Sequence, residues 1–418
     1  MSGLIARHVE ARVRTALADT RVVALTGARQ SGKTTLARSL AARTPAATFL
    51  SFDDITTRSA AGADPEAFVS EHPGLVVIDE VQRVPEVLLA IKSVVDLDQR
   101  PGRFLLTGSA ELLSVRGLAD PLAGRIELID LHPFSQGELE GRRERFVDAL
   151  LTGAVVPDAE LEITRSEYLR RASMGGFPEI VRRQGEDRRR RWFDSYLRTV
   201  TDRETRSVAE VDRVHDLPRV VRLLAARVGA PLNVASVARD AAIPERTLHR
   251  YIDLLEAVFL IDRVPSWAPN LTSREARQPK LYVTDSGLAA HLRGVAGARL
   301  SRPEIAQGLE GPLLEGFVAE ELRRQLTWSE ERAELMHYRD RDGREVDLIV
   351  ETPDGRVAGI EVKSTGAVRE RDFAGLSFVR DRLGDRFSGG VVLHTGRAST
   401  RFGRDLHALP IASLWRQS

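Results

Sequence analysis

The stretch Val22-Val23-Ala24-Leu25-Thr26-Gly27-Ala28-Arg29-Gln30-Ser31-Gly32-Lys33-Thr34-Thr35 decides the fold. Its first four residues are apolar and partly β-branched, so they read as a buried parallel strand. Gly27 to Thr34 fits G-x-x-x-x-G-K-[ST] without a mismatch, and Thr34 to Ala42 reads as a helix. Strand, glycine turn and helix in that order form the context such a loop needs. The glycines let backbone N–H groups curl around phosphate oxygens, and the helix N-terminus adds about half a positive charge. The expected nucleotide-binding residues are therefore Gly27, Ala28, Arg29, Gln30, Ser31, Gly32, Lys33, Thr34 and Thr35. Lys33 would reach the β- and γ-phosphates of ATP, and Thr34 would ligate Mg²⁺.

Two further apolar runs support an α/β sheet. Leu75-Val76-Val77-Ile78 ends in Asp79-Glu80, where Asp79 would hold Mg²⁺ through water and Glu80 would act as general base. Phe104-Leu105-Leu106 ends in Thr107-Gly108-Ser109, and Thr107 and Ser109 are both candidates for positioning the attacking water. Arg125, just past this strand, is a candidate for stabilising γ-phosphate charge across a subunit interface; a surface ion pair is the alternative.

The phosphate loop, Asp79-Glu80-Val81-Gln82 and Leu106-Thr107-Gly108-Ser109 resemble the AAA-type ATPase domain of a widespread prokaryotic family. In that family it is fused to a C-terminal domain of unknown function, DUF4143. The resemblance continues through Gly175-Gly176-Phe177-Pro178-Glu179, Trp192 with Ser195-Tyr196-Leu197, and Leu281-Tyr282-Val283-Thr284-Asp285-Ser286-Gly287-Leu288. It implies ATP and Mg²⁺ as cofactors and a homo-oligomer, for which a ring is one form.

The expected organisation has four parts: a P-loop ATPase domain over 1–155, a helical connector over 156–215, a mainly helical, winged-helix-like domain over 216–300, and an α/β domain over 301–418. In the third part, Leu217–Val228, Asn233–Ala242 and Glu245–Leu260 read as helices and Phe259–Val264 with Lys280–Thr284 as a hairpin. Asn233 or Ser236 is the expected N-cap. This is helix-turn-helix texture. Arg246, His249 and Arg250 share one helix face by i, i+3, i+4 spacing and would enter a DNA major groove. The run Arg188-Arg189-Arg190-Arg191 is the densest basic stretch, read either as a phosphate-contacting patch or as a helix face balanced by Glu186 and Asp187.

The last part reads α-β-β-β-α-β. Asp347 lies on its second strand, and Glu361-Val362-Lys363 on its third, so Glu361 and Lys363 share a face. Asp347 and Glu361 could ligate Mg²⁺ or Mn²⁺, with Lys363 orienting water and Glu315 supporting from the preceding helix. Strand order and residues resemble the PD-(D/E)xK nuclease fold, although Val346, not proline, precedes Asp347.

Composition bounds the rest. The 418 residues carry 61 Lys+Arg against 60 Asp+Glu, a net +1, so this is no small basic coat protein. With 42% hydrophobic residues, packed cores are available and wholesale disorder is not the reading. Cys is 0, which excludes disulfides, cysteine-ligated metal and cysteine nucleophiles. No apolar run approaches a membrane span and no secretory segment is evident, so the expected setting is cytoplasmic. The expected function is a Mg²⁺-dependent ATPase that acts on DNA, coupling hydrolysis to unwinding or branch migration, with possible metal-dependent cleavage. The alternative is an ATP-controlled regulatory or defence switch whose nuclease-like domain binds DNA but is silent.

Overall fold

The structure is a computed structural model that describes residues 4–108, 122–155, 162–204, 214–275, 277–295 and 308–417. Ser109 and most of the polar stretch Gly297–Gly311, the linker candidate in the sequence, lie outside the described residues.

The N-terminal part is built on five parallel strands: β1 (Val22–Thr26), β2 (Thr48–Ser51), β3 (Val76–Asp79), β4 (Phe104–Thr107) and β5 (Ile126–Asp130). Their order is β2-β3-β4-β1-β5. Val22 and Val76 both pair with Phe104, so the three central strands run level. Their C-terminal tips therefore deliver Gly27, Asp79–Glu80 and Thr107 to one edge of the sheet. β1, β3 and β4 are buried at every residue, as their apolar runs require. β2 and β5 were not legible in the sequence. Both are outer strands, half-exposed over most of their length, so neither carries an unbroken apolar run.

Helices follow. Arg165–Met174, Pro178–Arg182 and Glu186–Thr199 form the connector, and Leu217–Ala225, Val234–Ala241 and Glu245–Ala257 the expected trio. Asn233 is the N-cap, its side chain accepting the Ser236 N–H at 2.9 Å. The hairpin is shorter than expected: β6 (Ile261–Val264) pairs antiparallel with β7 (Lys280–Val283). Phe259, placed in the strand by its apolar character, instead turns the chain with φ 54°.

The C-terminal part opens with the helix Glu310–Leu326. A six-stranded sheet follows: β8 (Glu334–Arg339), β9 (Glu345–Glu351), β10 (Val357–Lys363), β11 (Phe387–His394), β12 (Thr400–Arg401) and β13 (Leu406–Pro410), with the helix Ala374–Leu383 between β10 and β11. The strand order is β12-β13-β11-β10-β9-β8. The α-β-β-β-α-β order is present, with β12 and β13 added. The core does not respect a boundary near residue 300. One continuous apolar cluster runs from Phe146 through Tyr168, Leu255 and Tyr282 to Phe317, Val391 and Trp415. The middle helices and the C-terminal sheet thus share a single core.

Candidate active site

The phosphate loop is shaped by two glycines. Gly27 has φ 133°, and a Cβ there would fall 2.3 Å from the Leu131 carbonyl oxygen, so only glycine fits. Gly32, at φ 106°, caps the helix Lys33–Ala42 and turns its N-terminal amides toward the loop. The Lys33 ammonium donates to the Gly27 and Ala28 carbonyls at 2.7 and 3.0 Å, which holds it inside the loop. Ser31 is buried, and its Oγ has no hydrogen-bond partner among the described residues.

Asp79 joins three elements. Its Oδ1 accepts from Thr34 at 2.8 Å and from Thr107 at 2.5 Å, and its Oδ2 from Ser51 at 3.3 Å. Glu80 sits one residue on with φ 58°, a left-handed conformation that swings its carboxylate out of the strand direction. Burial pushes the Glu80 carboxyl above its usual range, against the opposing pull of a hydrogen bond from Gln82 at 2.5 Å and the charge of Lys33. A raised carboxyl holds a proton more readily, which suits a general base. The Glu80 N–H also donates to Thr107 Oγ1 at 3.4 Å.

These residues open on a cavity of about 1100 Å³. One wall is the loop with Lys33, Thr34 and Glu80. The other comes from the connector, with Arg182, Arg183, Trp192 and Tyr196. The orphan Ser31 hydroxyl, the Lys33 ammonium held in the loop, and the paired Thr34 and Asp79 oxygens fit a nucleotide with Mg²⁺.

One supporting residue had no sequence signal. Arg7, in the charged N-terminal segment, donates to the Ser31 carbonyl at 2.9 Å and to the His132 carbonyl at 2.6 Å. It also pairs with Glu138 at 3.0 Å and lies over the Phe134 ring. It thereby braces the phosphate loop from outside the motif.

Arg125 is not brought to this edge. It precedes β5, at the opposite end of the sheet from the loop, because Val22 pairs with Ile126. There it forms an ion pair with Asp96 at 2.5 and 3.1 Å. Of the basic run, Arg190 and Arg191 pair with Glu186 and Asp187 one turn back, and Arg189 donates to the Arg183 carbonyl. Arg188 is exposed. Arg246, His249 and Arg250 are exposed on one face, and none of their side chains has a hydrogen-bond or ion-pair partner among the described residues.

The C-terminal acids do come together. Asp347 Oδ2 accepts the Val362 N–H at 2.9 Å, and the Asp347 N–H donates to Glu361 at 3.4 Å. Lys363 donates to Glu361 at 2.7 Å. Burial, then the charge of Asp347, push Glu361 up to about 8 and Glu315 up to about 7. The cation shared by this group was not foreseen: it is Lys280 of β7, within ion-pair distance of Glu315, Glu345 and Asp347. Among the described residues, no group of three or more His, Asp or Glu is disposed to hold a metal ion. Among those residues, too, no helix is long and apolar enough to cross a membrane.

Three family models match the chain: an AAA domain over residues 19–140, a domain of unknown function, DUF8612, over 165–299, and DUF4143 over 310–414. The second spans the boundary expected between 215 and 216. An uncharacterized protein of Mycobacterium tuberculosis, Rv2008c, is 31% identical over 361 residues, which cover 86% of this chain and 74% of that protein. The chain belongs to the same family as this protein, and within it the chain carries an AAA domain and DUF4143. Uncharacterized protein Mb2031c of Mycobacterium bovis matches to the same extent, and an uncharacterized protein of Haemophilus influenzae is 25% identical, covering 53% of each chain. Among solved structures, AMPPCP-bound DnaA from Aquifex aeolicus aligns over 59% of this chain and 85% of that one, with 12% identity and TM-score 0.29. A structure of two coordinating Pif1 helicases aligns over 37% of this chain and 50% of that one, with 14% identity and TM-score 0.23. Likenesses at those scores add nothing to the family match. The AAA domain is an ATPase domain, and ATP with Mg²⁺ is its family's cofactor pair.

Proposed function

We propose that this family member is a Mg²⁺-dependent ATPase that acts on DNA, with hydrolysis coupled to remodelling of the bound duplex. Bound Mg²⁺ supplies charge neutralisation at the phosphates, and Thr34 and Asp79 are the residues that would hold it. Lys33 and the loop amides bind and orient the phosphate chain. Glu80 takes the proton of the attacking water, which Thr107 helps to place. Trp192 and Tyr196 of the connector line the same cavity, so the nucleotide state bears directly on the connector.

The observation that carries the DNA part is the bare face formed by Arg246, His249 and Arg250 on the helix Glu245–Ala257. A cationic face left without internal partners is what a phosphate-binding surface needs. The test is the ATPase rate of the full chain against single-stranded, duplex, forked and four-way DNA. Turnover that rises with DNA and vanishes in Lys33→Ala supports the reading. Turnover indifferent to every DNA form overturns it in favour of a second reading, an ATP-controlled switch with a silent C-terminal domain. That second reading is favoured by Lys280 lying among the C-terminal acids.

A further inference from the structure

The C-terminal acids have the spacing of a metal site, yet the cation among them belongs to the chain itself. Lys280 opens β7, a strand buried at all four positions, and its side chain is 0% exposed. Its ammonium lies 2.8 Å from Glu345, 3.0 Å from Glu315 and 3.5 Å from Asp347. The Tyr282 hydroxyl, two residues along the same strand, donates to Glu315 at 2.6 Å. Lys363 neutralises Glu361 from the other side.

Most of the oxygens that a divalent ion would need are therefore committed. A buried ammonium with three carboxylates within 3.5 Å is the arrangement that repays its desolvation. A divalent ion shared by Glu315 and Asp347 would sit beside the Lys280 charge, where a low dielectric magnifies repulsion. β6 flanks its strand, and Pro231 bridges to its backbone, so the strand that carries Lys280 is fixed on both sides. The lysine also comes from outside the C-terminal sheet, so its contacts join two parts of the chain.

We propose that Lys280 is the resident cation of this acidic cluster, that it stands in place of the divalent ion suggested by the Glu361-Val362-Lys363 spacing, and that the cluster docks the C-terminal sheet on β7 instead of hydrolysing phosphodiesters. The proposal does not depend on the ATPase reading.

Its test uses the full chain without nucleotide, in an Asp79→Asn background that removes the nucleotide-site ligand. Thermal melting is followed with and without millimolar Mn²⁺. Lys280→Met is expected to melt roughly 5–10 °C lower, because it leaves buried carboxylates uncompensated. Mn²⁺ is expected to raise the melting temperature of Lys280→Met and leave the parent unmoved, and adding Asp347→Asn should abolish that gain. A Lys280→Met chain that ignores Mn²⁺ overturns the proposal. Where Lys280→Met does not fold, Mn²⁺ binding is measured by electron paramagnetic resonance in the parent and in the parent carrying Asp347→Asn. Equal binding supports the proposal, and an Asp347-dependent site in the parent overturns it.

Discussion

The Gly176 amide donates to the Asp285 carboxylate over 2.7 Å, across 109 positions of chain. Gly175, at φ 74°, leaves room for that carboxylate, since a Cβ there would lie 2.1 Å from Asp285 Oδ1. Gly176 accepts in turn from the Phe134 amide at 2.8 Å, and Phe134 lines the nucleotide cavity. Asp285 also accepts the Leu288 N–H at 3.0 Å and faces Arg324 at 3.6 Å on the helix Glu310–Leu326. One buried carboxylate thus links the cavity wall to the helix that begins the C-terminal part.

Asp285→Ala should therefore destabilise the chain by about 3–5 kcal/mol, leaving two buried amides without their acceptor and Arg324 with Glu321 but no longer Asp285 facing its charge. Asp285→Asn keeps an acceptor oxygen and should cost less. Denaturant titration of both variants checks the ranking; an alanine variant as stable as the parent would remove Asp285 from this role.

At the catalytic edge, Glu80→Gln should bind ATP near normally and hydrolyse it roughly 10²–10⁴-fold more slowly. Filter binding alongside a phosphate-release assay separates the two effects. Retained turnover would mean that another group takes the proton.

How far this site was legible follows from where its residues stand. Gly27 to Thr34, Asp79, Glu80 and Thr107 were readable because a phosphate loop and two strand tips each leave a contiguous signature. Arg7 leaves none: its role arises from three contacts with Ser31, His132 and Glu138, all distant in sequence. Lys280 at the head of an apolar strand looks like an exposed strand end, and its burial depends on acids from β9 and from the helix Glu310–Leu326. The shared core also escaped, because composition marks texture along the chain and not which faces meet.

Arg7 provides a separate test. Arg7→Met removes the donors that brace the Ser31 carbonyl, so the KM for ATP should rise about tenfold, the equivalent of ~1.4 kcal/mol. Arg7→Lys should rescue poorly, because an ammonium cannot span the Ser31 and His132 carbonyls as a planar guanidinium does. Steady-state kinetics of the three chains decide this, and full rescue by lysine would point to charge alone.

On the middle helix face, single alanine substitutions at Arg246 or Arg250 should weaken binding to all duplex sequences about equally. Each should reduce the slope of log affinity against log salt by about 1. DNA-free ATP turnover should stay at the parental rate, since neither Arg246 nor Arg250 lines the nucleotide cavity. Anisotropy titrations at several salt concentrations measure the slope, and an unchanged slope would place the DNA elsewhere.

Acid sensitivity has an identifiable contributor in His337 on β8. Burial, then the nearby Lys280 charge, push His337 down from 6.5 to about 4. Its Nε2 lies 3.1 Å from the Gln278 carbonyl, so the neutral ring donates there. As pH falls through 6.5, the unfolded chain binds a proton that the folded chain refuses until about pH 4. Folding stability is therefore undiminished by this group above pH 6.5 and declines between 6.5 and 4, by on the order of 3 kcal/mol at most. His337→Gln retains a side-chain donor and cannot titrate, so the stability difference between pH 7.5 and pH 5 should shrink relative to the parent. Urea denaturation at the two pH values reads it directly, and an identical pH difference in both chains would assign the acid sensitivity to other groups.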